Sequence, residues 1–315
     1  MSNWVTYTNG NYHVMLNTKT GTKIRKNDQD FFEATFPESI DYKICNRCNM
    51  GCSMCHENST PDGKLGDIMN VAFIESLHPY TELAIGGGNP LEHPELELFL
   101  KKCKELKLIP SMTVHQNHFI ENIDFIRKLR DEELIYGLGV SVNNPTDELV
   151  SMLKEFPNIV VHLINGMSDK DVFEKLKDNN LKCLILGYKV FRRGADLYNH
   201  QAAARELIDL NKSWLYDTLP TIIEEEWFNT VSFDNLAITQ LNVRRLMTSE
   251  EWNEFYMGDD GTMTMYIDGV KNEFAISSVS PTRFSLLDNI EDMFTVVKQK
   301  AKEKKLNDAL NIHKQ

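Results

Sequence analysis

Four of the chain's six cysteines stand close together in the run Cys45-Asn-Arg-Cys48-Asn-Met-Gly-Cys52-Ser-Met-Cys55. Thiolates are soft metal ligands, and so dense a group in a reducing compartment points to a metal or a metal cluster rather than to disulfides. Spacing narrows the choice. A structural zinc site usually draws two Cys-x-x-Cys hooks together across about 12 to 20 residues, whereas here the hooks are separated by three residues. Iron-sulfur clusters accept tighter packing, because each thiolate can bind a different iron. A zinc-stabilised binding protein is therefore the weaker reading.

The elements that must position these thiols follow from the rest of the chain. Its 315 residues, 42% hydrophobic, suffice for one large domain or two modest ones. No basic segment leading into an apolar stretch opens the chain, and no run of about 18 apolar residues occurs, so a cytoplasmic protein is expected, with no membrane partner. A net charge of -12 opposes binding along a nucleic-acid backbone. The lysines between 101 and 107 and between 298 and 305 read as solvated helix faces.

Apolar strands alternate with helical periods. Strands are predicted over 39–45, 82–88, 110–117, 135–143, 158–166 and 181–189, and helices near 68–78, 94–106, 119–130, 146–155, 169–178 and 196–217. Pro94 suits a first helical turn, and Thr146 or Asp147 suits an N-cap. Six successive βα units give a parallel sheet, either an open barrel or doubly wound. One parity of the strands is repeatedly polar: Asp41 and Lys43 alternate with Ile40, Tyr42 and Ile44, and His115 and Asn117 continue the polar row of their strand. A polar lumen inside a curved sheet accounts for this. The expected fold is α/β: a partial (βα)6 TIM-like barrel over 36–217, an N-terminal β-hairpin over 1–35 turning at Asn9-Gly10, and a C-terminal α+β extension over 218–315 that caps the barrel.

Cys48-x3-Cys52-x2-Cys55, directly after the first strand of such a repeat, resembles the signature of the radical S-adenosylmethionine (SAM) enzymes. The resemblance extends over residues 36–190. It implies a single 4Fe-4S cluster held by Cys48, Cys52 and Cys55, with one iron left open to chelate SAM; reductive cleavage then yields methionine and a 5'-deoxyadenosyl radical that abstracts hydrogen from a substrate. It also implies an electron-donating reductase or flavodoxin. Met54 stands where the family usually has an aromatic residue near the adenine, and a flexible thioether can cover a purine face. "AIGGGNPL" is similar to the family's Gly-Gly-Glu-Pro turn, which aligns Gly87, Gly88 and Asn89 with the SAM amino group, asparagine replacing glutamate. Ser141 and Asn143 fall where the family sets ribose contacts. Ile164 and Gly166, with Asp169 more loosely, resemble its adenine motif, in which His162 replaces a glycine, and Tyr188 stands at the adenine edge.

Polar residues left over on the lumen side, Asp41, Lys43, His115, Asn117 and His162, are the substrate-side candidates. Their mixed charge suits a polar substrate such as a nucleotide derivative, an amino acid or a peptide. Cys45 reads as the end of the first strand. Were it a fourth cluster ligand, SAM chemistry would be blocked and an iron-sulfur electron-transfer or sensing protein would be the alternative. Cysteines are absent beyond Cys183, so an auxiliary cluster is not expected, and this counts against a peptide-modifying role without excluding it.

Overall fold

The computed structural model describes residues 3–29 and 31–312. Strands β1 (Trp4–Asn9), β2 (Tyr12–Asn17) and β3 (Lys23–Lys26) form a small antiparallel sheet. The turn signal at Lys19-Thr20-Gly21 leads into β3, the third strand of this sheet. Tyr12, Val14 and Leu16 are buried while His13 and Met15 face solvent, the alternation of a sheet covered on one side. At the Asn9-Gly10 turn the Asn9 amide donates to the Phe36 carbonyl at 2.9 Å and accepts from the Thr35 amide at 2.8 Å. Gly10 is obligatory there: its φ is +59° and an added Cβ would collide with the Glu33 carbonyl.

The main sheet is built from β4 (Ser39–Cys45), β5 (Glu82–Gly87), β6 (Ile109–His115), β7 (Gly137–Ser141), β8 (Ile159–Ile164), β9 (Lys182–Leu186), β10 (Thr230–Phe233), β11 (Thr264–Asp268), β12 (Glu273–Ala275) and β13 (Phe284–Ser285). Its order is β10-β9-β8-β7-β6-β5-β4-β11-β12-β13. Strands β4 to β9 are parallel and lie in sequence order. A doubly wound sheet reverses its order at a switch point, so that alternative is excluded. The sheet stays open, with β10 and β13 as its edges, and no closed barrel forms among the described residues. Residues 218–315 contribute both flanks: β10 pairs with β9, and β11 pairs in parallel with β4.

Constant crossover hand in a consecutively ordered sheet puts its helices on one face. The apolar parity, including Ile40, Leu83, Val114, Val140, Val161 and Ile185, is buried in the core. The opposite parity, including Thr113, His115, Ser141 and His162, is only partly buried. Several boundaries differ from those predicted by periodicity. The segment 68–78 forms only a short 3-10 turn, Ala72–Ser76. The third predicted helix breaks at Asn122 into Gln116–Glu121 and Ile123–Asp131, and the last breaks at Gln201 into Arg193–His200 and Ala202–Glu224. Pro94 lies just before the helix Leu96–Glu105, whereas Thr146 caps Asp147–Leu153 by accepting from the Leu149 amide.

The N-terminal sheet docks at the amino ends of β4 and β5, away from the cysteine loop. Glu38, 1% exposed, takes Arg25 Nε at 2.7 Å, Lys23 Nζ at 2.9 Å and the Tyr12 hydroxyl at 2.6 Å, while Lys23 also reaches Glu82 at 2.6 Å. Burial opposes the Glu38 charge, but the Arg25 and Lys23 contacts outweigh it and hold the carboxyl near 2. A depressed carboxylate stabilises the fold above its unfolded pKa, here 4.5, and loses that contribution as pH falls toward 2. We predict that Glu38→Gln costs about 3 kcal/mol at pH 7. Urea titrations should show that difference shrinking between pH 4.5 and 2.

Candidate functional site

The cysteine run leaves the end of β4 and returns to it. Bridges pair Cys45 with Leu65 and Arg47 with Thr60, closing residues 46–64 into a loop. The Gly-rich turn after β5 zips to its start: the Gly88 amide donates to the Cys45 carbonyl at 2.8 Å and the Asn89 amide to the Arg47 carbonyl at 2.7 Å. Gly87, at φ +115°, and Gly88 have no room for a side chain, since added Cβ atoms would lie 2.2 Å from the Cys45 and Arg47 carbonyl oxygens respectively. Both glycines therefore admit the loop backbone. Gly86 is the one whose missing side chain faces open space.

A buried ion pair anchors the middle of the loop. Lys43 Nζ, 3% exposed, meets Glu57 at 2.7 Å and Asp268 on β11 at 3.4 Å. Glu57 is also met by His56 at 3.3 Å and Arg192 at 3.6 Å. Burial works against the Glu57 charge, but His56 and Lys43 hold its carboxyl well below the usual range.

A cavity of about 320 Å3 opens at the carboxyl ends of β4 to β9. Cys48, Cys52 and Cys55 line it and are half-buried, whereas Cys45, Cys103 and Cys183 are buried and do not. The Cys45 thiol donates to the Asn89 carbonyl at 3.1 Å, and burial pushes it up to about 11. Met54, Gly87, Gly88, Ser141, Ile164 and Tyr188 also line the cavity. Met54 and Ile164 pack on one apolar cluster with Tyr188, so residues from three separate sequence motifs meet there.

Of the polar candidates, Asp41, Lys43, His115 and His162 reach the cavity. His115 caps the following helix by accepting from the Asn117 amide at Nδ1, 3.2 Å away. Burial pushes His162 down to about 4, so its ring is neutral near pH 7. Gly139 on β7 makes room for that ring, since a Cβ there would lie 2.4 Å from His162 Cε1. Asp41 is deep in the protein yet exposed, because it lines both this cavity and a second of about 730 Å3. Burial, with Asp260 and Asp234 nearby, raises its carboxyl to about 6 despite Lys189. The side chains of Asp41, Ser141 and His162 have no hydrogen-bond or ion-pair partner among the described residues.

Five sequence candidates lie outside the cavity. β6 ends at His115, so the alternation that put Asn117 beside it stops and Asn117 is exposed on the helix Gln116–Glu121. Asn143 is exposed beyond β7, its amide held by Gln116 at 2.8 Å. Asn89 is buried and caps the Pro90–Glu92 turn. Gly166, at φ +90°, turns the chain after β8 and offers its carbonyl to Asn211 at 3.1 Å. Asp169 instead caps the helix Lys170–Leu176. Sequence reasoning missed Thr113, His118, Lys189, Tyr266 and Ser278, which also line the cavity. Strand parity in "SMTVH" could have found Thr113; nothing local in the sequence brings Tyr266 and Ser278 from the C-terminal hairpin.

Together these features define an α/β protein with a half-buried thiol group at the carboxyl ends of a parallel sheet. No family profile and no curated protein sequence matches the chain. Its fold is that of SuiB from Streptococcus suis. The structure of SuiB bound to S-adenosylmethionine aligns with TM-score 0.56 at 11% identity, covering 90% of this chain and 85% of SuiB. SuiB bound to its precursor peptide SuiA aligns with TM-score 0.55 at 11% identity, covering 93% and 87%.

Removing one partner of a buried pair strands the other charge, at a cost of about 3 to 5 kcal/mol. Lys43→Ala should lower unfolding free energy by that amount and speed proteolysis within 46–64. Glu57→Gln keeps the shape and leaves Lys43 its Asp268 contact, so its loss should be smaller. A Lys43→Ala loss under about 1 kcal/mol would show that the pair does not hold the loop.

Proposed function

We propose that the chain is a radical SAM enzyme. The observation that carries this reading is the meeting of Cys48, Cys52 and Cys55 with Met54, Ile164 and Tyr188 in one cavity at the strand ends. No group of three or more His, Cys, Asp or Glu side chains is gathered to hold a single metal ion among the described residues. A cluster asks something different of its ligands, because each thiolate takes its own iron. The thiols fit that demand: they are half-buried, face one cavity, and sit on a loop whose ends are fixed by backbone bonds. Burial and then the neighbouring thiols raise Cys52, and burial also raises Cys48, so a bound cation is what would ionise them.

With a 4Fe-4S cluster and SAM bound, the site gains reductive cleavage of SAM and hydrogen abstraction from a substrate. The chain's own part is binding and orientation. Met54, Ile164 and Tyr188 offer an apolar wall for the adenine, the Ser141 hydroxyl a partner for the ribose, and the open space at Gly86 room for the amino acid part of SAM. His115 and His162, with Asp41 and Lys189, stand on the substrate side. The electron comes from a separate reductase or flavodoxin. A peptide is the substrate class that the SuiB–SuiA complex favours, and the second cavity, sharing Asp41, Lys189 and Ser278 with the first, extends the space available to it. The electron-transfer alternative would be favoured by a fourth thiolate or by Asn89 spoiling the SAM turn; the Cys45 thiol is buried and donates to the Asn89 carbonyl, and Asn89 is buried as the cap of Pro90–Glu92.

Anaerobic reconstitution tests this. Cys48→Ala, Cys52→Ala and Cys55→Ala should each lose iron-sulfur absorbance, while Cys45→Ala, Cys103→Ala and Cys183→Ala keep it. The reduced wild type should change its paramagnetic spectrum on adding SAM and release 5'-deoxyadenosine. An unchanged spectrum would favour electron transfer, and loss of absorbance in Cys45→Ala would make that residue a ligand.

A further inference from the structure

The outer edge of β10 opens into a groove of about 960 Å3, well away from the thiols. Among the described residues β10 pairs with no strand but β9. Past the end of the strand the Asp234 amide donates inward to the Ile185 carbonyl at 3.2 Å, and Thr230 and Ser232 stand opposite Lys182 and Leu184 in the parallel register, so by alternation Thr230 and Ser232 bond to β9 and the amides of Val231 and Phe233 point outward, into the groove. An edge of this kind is a template for a further strand, and natural sheets usually cover or blunt it. β10 carries neither a proline nor a charge.

Facing the edge, the helix Ser249–Phe255 and the segment after it supply Trp252, Phe255 and Met257 to the groove, and Phe255 is 62% exposed and Met257 51%. Large apolar side chains beside an open strand supply both components of strand-addition recognition, backbone hydrogen bonds and pockets for alternate side chains. Charge specifies the occupant further. Asp178, Glu226 and Glu251 line the groove and among the described residues no lysine or arginine does, while, outside the lining, Arg25 meets the Met257 sulfur and Arg244 stacks on Trp252. Asp178 and Glu226 have no ion-pair partner among the described residues.

We propose that this groove binds an extended peptide segment as an added strand on β10, and that the segment alternates apolar residues with basic ones. The apolar side chains lie against Trp252, Phe255 and Met257, and the basic ones meet the carboxylates. This inference goes beyond the reading of the thiol cavity and holds or fails independently of it.

The probe is a fluorescein-labelled peptide of alternating valine and lysine, titrated with the full chain and followed by anisotropy at low salt. Saturable binding is expected, with a valine–glutamate peptide at least about tenfold weaker. Glu226→Lys should weaken the valine–lysine peptide by about threefold or more and narrow that gap. Of two peptides N-methylated on alternate amides, the one blocked on its β10-facing edge should lose binding. Phe255→Ala, at an exposed position, should weaken binding while circular dichroism stays native. Equal affinity for the two charge types, undiminished binding of both methylated peptides, or no saturable binding up to millimolar concentration would each overturn the proposal.

Discussion

Lys43 must be paired because it is buried, and its partners set the geometry of everything above the sheet. Glu57 belongs to the cysteine loop and Asp268 to β11, a strand more than two hundred residues later in the chain. One ammonium group thus ties the first strand of the repeat, the thiol-bearing loop and the C-terminal flank into a single unit. An ion pair so deep gives little net stability over apolar residues of the same shape. What it does is fix a position: Glu57 follows Cys55 by two residues, so the contact holds that part of the loop beside the cavity that Cys48, Cys52 and Cys55 line.

Glycine supplies the second constraint, and it acts differently at each position. Gly87 and Gly88 let the loop backbone come within hydrogen-bonding distance of the β5 turn, so their role is to seat the loop. Gly139 yields volume to the imidazole of His162 on the next strand. Gly86 alone leaves space open to the cavity. A single motif of three successive glycines therefore splits into two functions, support and clearance, which the letters of the sequence do not distinguish.

Much of the parallel core was legible because a sheet with one face on helices and one on a cavity writes its alternation directly into the residues. Asp41, Lys43, His115 and His162 were found by that parity and do line the cavity. Asn117 and Asn143 were placed by extending the same parity past the strand ends, where a cap at His115 and an exposed turn replace it. The flanks were less legible. Nothing in the residues of β10 or β11 says that they pair with β9 and β4, because such pairing depends on long-range closure rather than local period. Tyr266 and Ser278 reach the cavity only through that closure, and so does the partner of Lys43, Asp268.

The two flanks of the sheet are also finished differently, and the difference has a physical cost. On the β4 side, β11 is followed by β12 and β13, so the edge is displaced to a two-residue strand that offers little template for pairing. On the β9 side the sheet stops at β10, whose outward amides and carbonyls face a groove walled by Trp252 and Phe255. Unsatisfied edge groups beside exposed aromatic rings invite association. The chain has the means to avoid that cost, since it does so at the other edge with a short strand. That it leaves this edge open, beside a groove lined by Asp178, Glu226 and Glu251, makes the asymmetry a property of the surface and not a consequence of running out of strands.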